Sequence, residues 1–138
     1  MTPERAAEHG ATAVGKEELL RRADVLTIHM VLGAKTRGLL GAEDLALMKT
    51  SSLLVNTSRG PLVDEAALVS ALTSRKIALA ALDVFDTEPL PADHPFRSLD
   101  NVLGTPHIGY VADDLYRVFY GDTVRALDAW LAERAKAA

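Results

Sequence analysis

The chain has 138 residues, 49% hydrophobic and 25% charged, the balance of a single globular domain able to bury its own core. A net charge of −4 without a basic block argues against nucleic-acid binding, and the absence of cysteine excludes disulfides, thiolate metal sites and a cysteine nucleophile. No apolar run nears the roughly 18 residues of a membrane helix and the start does not read as a signal peptide, so a cytoplasmic protein without a membrane partner is expected.

Thr2-Pro3-Glu4 reads as a helix start, with Thr2 as N-cap and Pro3 in the first turn, and Gly10 as the glycine that stops the helix. Lys16 to Ala23 forms a second helix with Leu19, Leu20 and Ala23 inward. Asp24 to Met30 is strand-like and apolar on both faces, as expected of a central parallel strand. A helix from Ala42 to Lys49 and a buried strand from Ser52 to Thr57 follow. Asp64 caps a helix running to about Arg75, with Leu68, Val69 and Leu72 inward. Ile77 to Val84 is a third strand, weak in local propensity because it holds Ala78, Ala80 and Ala81. The stretch from Asp86 to Pro95, with Pro89, Pro91 and Pro95, is a loop that cannot join a ladder. Asn101 to Thr105 is a fourth strand, and Ala112 to about Lys136 a long helix with Tyr116, Tyr120, Val124, Leu127 and Leu131 on one stripe. Strands alternating with helices predict an α/β fold: a doubly wound parallel sheet of about four strands with flanking helices.

Ligands of such sheets meet the carboxyl ends of the strands. There the chain places His29 and Met30 to Thr36, then Asn56 to Pro61, then Asp83 and Glu88, then Thr105 to Gly109. Arg59 suits a carboxylate held by two parallel hydrogen bonds, or is a solvated strand-end arginine. His107 suits proton exchange near neutral pH, or is a loop histidine. Glu88 is either its carboxylate partner or a turn acid. Asp83, Thr57 and Ser58 are ligand contacts or ordinary strand-end polar groups. His9 and His94 follow no strand and receive no role. No metal-ligand spacing, no G-x-S-x-G and no G-x-G-x-x-G is present, Gly38 and Gly41 forming none, so no metal is expected.

Taken together, Ala23 to His29, Thr36 to Leu40, Leu54 to Leu68, Ala80 to Pro89 and Asn101 to Gly109 resemble, in order and with similar spacing, the NAD-binding domain of the D-isomer-specific 2-hydroxyacid dehydrogenases. That family includes phosphoglycerate, glyoxylate/hydroxypyruvate and D-lactate dehydrogenases. The resemblance implies a Rossmann-like fold. Residues 1–110 would form the C-terminal half of an NAD(P)-binding domain, and residues 111–138 a helix that in the family returns to the substrate domain. It implies that Arg59 binds the substrate carboxylate, that His107 donates and accepts the proton with Glu88 as partner, and that Asp83 holds the carboxamide. Cofactor contacts would come from Met30, Val31, Thr36, Thr57, Ser58, Arg59, Asp83, His107, Gly109 and Tyr110. NAD or NADP and a small 2-hydroxy/2-oxo acid are the implied partners. Val31 and Gly33 stand where the family usually has proline and often threonine, a departure in a cofactor-lining loop.

Family chains also carry a substrate domain and a glycine-rich turn over the pyrophosphate, neither of which this sequence shows. The expectation is therefore a piece of an oxidoreductase, with a non-catalytic binding module and one half of a split enzyme as alternatives, and weak NADH binding by the chain alone. Self-association through an exposed strand edge or the final helix is expected as well.

Overall fold

The structure, a computed structural model, describes residues 2–136. The chain divides into two compact units, one running to Pro106 and one beginning at His107.

The first unit is built on a four-stranded, all-parallel sheet of β1 (Val25–Ile28), β2 (Leu53–Asn56), β3 (Leu79–Leu82) and β4 (Val102–Gly104), in that spatial order. Its helices are α1 (Pro3–Ala7), α2 (Lys16–Arg22), α3 (Ala42–Leu47) and α4 (Glu65–Thr73). A monotonic strand order with right-handed crossovers places α3 and α4, the helices that link β1 to β2 and β2 to β3, on one face of the sheet. Burial follows that geometry. Leu26, Leu54 and Ala80 align across the sheet and are buried, as are Ile28, Asn56 and Leu82 one step further along. The helical side of the core is Leu20, Leu45, Leu68 and Leu72, with Leu62 and Ile77 from the connections.

The four strands and the main helices lie where the sequence places them, with the strands shorter at both ends. Two expectations are corrected. β1 is not buried on both faces: Leu26 and Ile28 are inside but Val25 and Thr27 are exposed, while its place at an edge of the sheet agrees with the exposed strand edge expected. Leu19 is half exposed, because consecutive helical residues point about 100° apart and the two-turn α2 touches the core along the line of Leu20.

The helix ends obey local chemistry. The Asp64 carboxylate accepts the Ala67 N–H at 2.9 Å as N-cap of α4. That helix ends at Thr73, with Arg75 in the left-handed region (φ 56°) and the Lys76 N–H on the Ala71 carbonyl at 2.8 Å. Gly10, the predicted stop of the first helix, has φ 67°.

The second unit contains α5 (Asp113–Lys136), a 24-residue helix with no buried residue. No helix among the described residues is long and apolar enough to cross a membrane.

Candidate functional site

The carboxyl edge of the sheet is held by side chains that reach from one strand end to the next. After β1, Met30 and Val31 are exposed, Val31 at 87%. The loop then closes on Thr36, whose hydroxyl accepts the Gly33 N–H at 2.8 Å and donates to the Val31 carbonyl at 2.7 Å. Thr27 and His29 pair through the hydroxyl and Nε2 at 3.0 Å.

After β2, the buried Asn56 folds its amide over the turn that follows. Its Oδ1 accepts the Ser58 N–H at 3.1 Å and its Nδ2 donates to the Arg59 carbonyl at 2.9 Å. The Ser58 hydroxyl donates to the Ile28 carbonyl at 2.7 Å, tying this turn to the end of β1. The Arg59 side chain is therefore presented from a fixed backbone; it is exposed, and its Nη1 donates to the Ser58 carbonyl at 2.5 Å. Gly60 begins a 3-10 turn (Gly60–Leu62) and packs its α-carbon directly on the Phe85–Asp86 peptide. A Cβ there would overlap the Phe85 carbonyl and the Asp86 nitrogen, so only glycine fits.

After β3, Asp83 is buried and its Oδ1 accepts the Thr105 hydroxyl at 2.5 Å, which joins it to the end of β4. Glu88 sits three residues beyond Phe85 and accepts the Phe85 N–H at 2.9 Å. The next amide, Asp86 N–H, donates to Glu65 at 3.2 Å. The other Glu65 oxygen lies 3.1 Å from Nε2 of His94, and His94 Nδ1 accepts the Phe96 N–H at 3.2 Å. Burial, then the Glu65 charge, pushes the Asp86 carboxyl above its ordinary pKa against the opposing pull of Arg37.

In the second unit His107 has φ 56°, a left-handed conformation that costs a non-glycine residue about 1–2 kcal/mol. Strain of that kind is concentrated at functional sites. Its ring meets Tyr110 edge-on at 6.3 Å, and Ile108 and Gly109 complete the turn. Among the described residues no group of three or more His, Cys, Asp or Glu is placed to hold a metal ion.

Of the residues singled out in the sequence, Met30, Val31, Thr36, Thr57, Ser58, Arg59, Asp83 and Glu88 all lie past strand ends in the first unit, and His107, Gly109 and Tyr110 lie in the second. Gly60, next to Arg59, packs on the Phe85–Asp86 peptide, and Glu88 accepts the N–H of the peptide just before it. Sequence reasoning placed Asn56 and Thr105 in the strand-end segments without a role of their own, gave His94 none, and passed over Glu65. His94 carried a readable signal: followed by proline, it fits the N-cap of a short helical turn, and it caps Pro95–Arg97.

Residues 1–109 match the family model described as D-isomer specific 2-hydroxyacid dehydrogenase, NAD binding domain. The D-3-phosphoglycerate dehydrogenase of Methanocaldococcus jannaschii is 54% identical over 67% of this chain and 17% of its own length. The glyoxylate reductase of Aeropyrum pernix is 50% identical over 72% of this chain and 30% of its own. A D-isomer specific 2-hydroxyacid dehydrogenase of Xanthobacter autotrophicus Py2, solved with NADPH and MES, superposes with a TM-score of 0.67 at 39% identity over 76% of this chain and 36% of that one. The chain thus spans roughly a third or less of the two curated relatives.

Proposed function

The chain belongs to the D-isomer-specific 2-hydroxyacid dehydrogenase family, and on that premise we propose that it supplies the substrate-carboxylate and proton-transfer groups of an NAD(P)-dependent oxidoreductase acting on small D-2-hydroxy/2-oxo acids. The observation that carries this reading is the meeting, at Phe85, of the turn that presents Arg59 and the loop that holds Glu88, at the carboxyl edge of a parallel sheet. We assign residues 1–110 to the nucleotide-binding part and 111–138 to a terminal helix. We place the protein in the cytoplasm, where the nicotinamide pool that such chemistry draws on is held.

The residues present fit the nicotinamide end of the cofactor. Asp83 is a buried carboxylate that can accept from a carboxamide, and Met30 and Val31, past the end of β1 on the same carboxyl edge, offer exposed apolar surface. No G-x-G-x-x-G occurs in the sequence, so no residue here is assigned to the pyrophosphate. When bound, the nicotinamide supplies or accepts the hydride. Arg59 would hold the substrate carboxylate by charge-assisted hydrogen bonds and polarise the neighbouring carbonyl. His107 would deliver a proton to the carbonyl oxygen and recover it in the reverse direction. Glu88 would favour the imidazolium form. Thr36, Thr57, Ser58, Gly109 and Tyr110 would complete the cofactor contacts. The same proposal includes self-association through the exposed strand edge or α5.

The test joins this chain, by fusion or co-expression, to the remaining portion that the longer relatives carry, and follows NADH oxidation with glyoxylate or hydroxypyruvate. His107→Ala is expected to lower turnover by at least about 100-fold. Arg59→Ala is expected to lower kcat and raise KM together. Glu88→Gln should move the pH profile of reduction to lower pH, because the imidazolium loses a stabilising charge. Near-wild-type turnover in His107→Ala rejects the assignment.

A further inference from the structure

We propose that Glu65 and His94, which lie outside the strand-end residues, are positioning residues: together they hold the Asp86 amide and, through the adjoining Phe85, the carboxylate of Glu88 that the Phe85 amide contacts. The inference rests on the reading of Glu88 as a proton-relay group, and its test does not depend on turnover.

The segment from Asp86 to Pro95 has no ladder to hold it, and three of its residues are prolines that cannot donate backbone hydrogen bonds. Its conformation must come from side-chain anchors. Two consecutive amides at its start provide them: Phe85 N–H donates to Glu88 at 2.9 Å and Asp86 N–H donates to Glu65 at 3.2 Å. Two carboxylates thus hold two successive peptides that meet at Phe85, Glu88 from within the loop and Glu65 from the first turn of α4.

Glu65 is itself held. Its second oxygen pairs with His94 Nε2 at 3.1 Å, and both side chains are largely withdrawn from water, at 15% exposure for His94 and 24% for Glu65. Because His94 Nδ1 accepts the Phe96 N–H, the network assigns the neutral-ring proton to Nε2, where it donates to Glu65. The ring also packs on Phe96 at 4.8 Å, and Phe96 packs on Phe85 at 6.3 Å. The pair therefore closes the loop at both ends: His94 near its finish, Glu65 at its start. Gly60 approaches the Phe85–Asp86 peptide so closely that a Cβ there would overlap it. That the Glu65 charge is felt at Asp86, whose pKa it raises after burial, agrees with the short distance between them.

Exposed loop carboxylates are ordinarily satisfied by water and hold no neighbour in place. A half-buried glutamate with both oxygens engaged, one on the backbone of the loop and one on a ring that caps the loop's end, is a constraint on geometry. Losing it should free Glu88 before it unfolds the sheet, since none of these contacts is part of the strand ladder.

The experiment is amide NMR of the full chain labelled with nitrogen-15, titrated between about pH 3 and pH 8 to cover carboxylate ionisation. In the parent chain the Phe85 amide proton should titrate with the carboxylate it contacts, and Glu88→Gln should abolish that titration. Glu65→Ala and His94→Ala should abolish it as well while the amides of β2 and β3 keep their exchange protection. Glu65→Gln, whose single amide oxygen can serve the Asp86 amide only by turning its NH2 toward His94 Nε2–H, should lose it as well. His94→Asn, which keeps the cap on Phe96 but is too short to reach Glu65, should lose it and serves if the alanine variants do not fold. An unchanged Phe85 titration in folded Glu65→Ala or His94→Asn overturns the proposal. If instead the titration is lost as expected but Glu88→Gln leaves the pH profile of the completed enzyme unmoved, the relay reading falls and the positioning role stands.

Discussion

Gly60 shows how much a single residue can carry at this edge. It needs no unusual backbone angle; what it needs is the absence of a side chain, because the Phe85 carbonyl and the Asp86 nitrogen occupy the space a Cβ would fill. Backbone atoms, unlike the tip of a flexible side chain, cannot rotate away. Gly60→Ala should therefore cost at least about 2 kcal/mol, the range of a forced overpacking. For a chain of this size that is a fall in melting temperature of about 6–10 °C. The same displacement should weaken the hydrogen bond from the Phe85 amide to Glu88, so that amide should shift while those of β1 stay put. Thermal unfolding and an amide spectrum check both, and a wild-type melting curve would show that the loop yields freely. The run Arg59-Gly60-Pro61 was readable as a turn after a buried strand, but the reason for its glycine lies 25 residues away in the Phe85–Asp86 peptide, and local sequence rules have no access to that distance. His94 is the same lesson reversed. Isolated in sequence, it has a ring whose two nitrogens are both engaged in the fold.

At the scale of elements, periodicity and capping were enough to place four strands and the helices between them. The exposed edge of β1 was expected from the resemblance; that one of its faces lies open was not readable, because an apolar run of this length states that a strand is hydrophobic and leaves open which neighbours cover it. Nor was the tie between α2 and α3, which depends on a cross-element ion pair. Lys16, at the start of α2, donates to the Asp44 carboxylate at 2.8 Å, and that carboxylate also accepts the Gly41 N–H at 3.0 Å in the first turn of α3. Burial alone would raise the Asp44 pKa; the hydrogen bonds from Lys16 and Gly41 and the Lys16 charge outweigh it and hold the pKa below its ordinary value of 3.8. A lowered carboxylate pKa means that the unfolded chain binds the proton more tightly. The stability it contributes is fully present above the unfolded pKa and is lost as pH falls through the folded one. Asp44→Asn should thus lower stability at pH 7 by about 0.5–1 kcal/mol, as expected for a partly exposed pair that also satisfies a helix-start amide. The gap between variant and parent should shrink as pH drops below about 4, toward the acid limit where both carry a neutral side chain. Melting temperatures measured across that window check the sign, and a gap that widened toward acid pH would contradict it.

Considered whole, the molecule has more apolar surface than its sheet and helices cover. In the first unit the face of the sheet turned away from α3 and α4 shows Val25, Leu79 and Leu103, at 59%, 48% and 67% exposure, and among the described residues no strand pairs with the outer edge of β1. In the second unit α5 buries nothing, although Tyr116, Tyr120, Leu127, Trp130 and Leu131 lie along one stripe. Its opposite side carries the Asp122–Arg125 pair and other charges. Exposed apolar patches beyond about 300–600 Å² are uncommon on soluble monomers and mark surfaces that bind something. For α5 the charges indicate what. Asp113 and Asp114 stand at its first turn, Arg134 and Lys136 at its last, and a 24-residue helix is about 36 Å long. Two copies of α5 laid antiparallel bring each acidic end against a basic end, set the helix dipoles head to tail, and bury both stripes. The expected outcome is self-association at tens of micromolar, seen by light scattering or sedimentation. Leu127→Glu, in the middle of the stripe, should return the chain to a monomer, and Leu103→Lys on the sheet should leave the association intact. If Leu127→Glu has no effect and Val25→Lys abolishes association, the strand edge is the route and the helix pairing is wrong. A monomer at every concentration, with the amides of Val25 to Ile28 protected from exchange, would mean that both surfaces are covered within the chain.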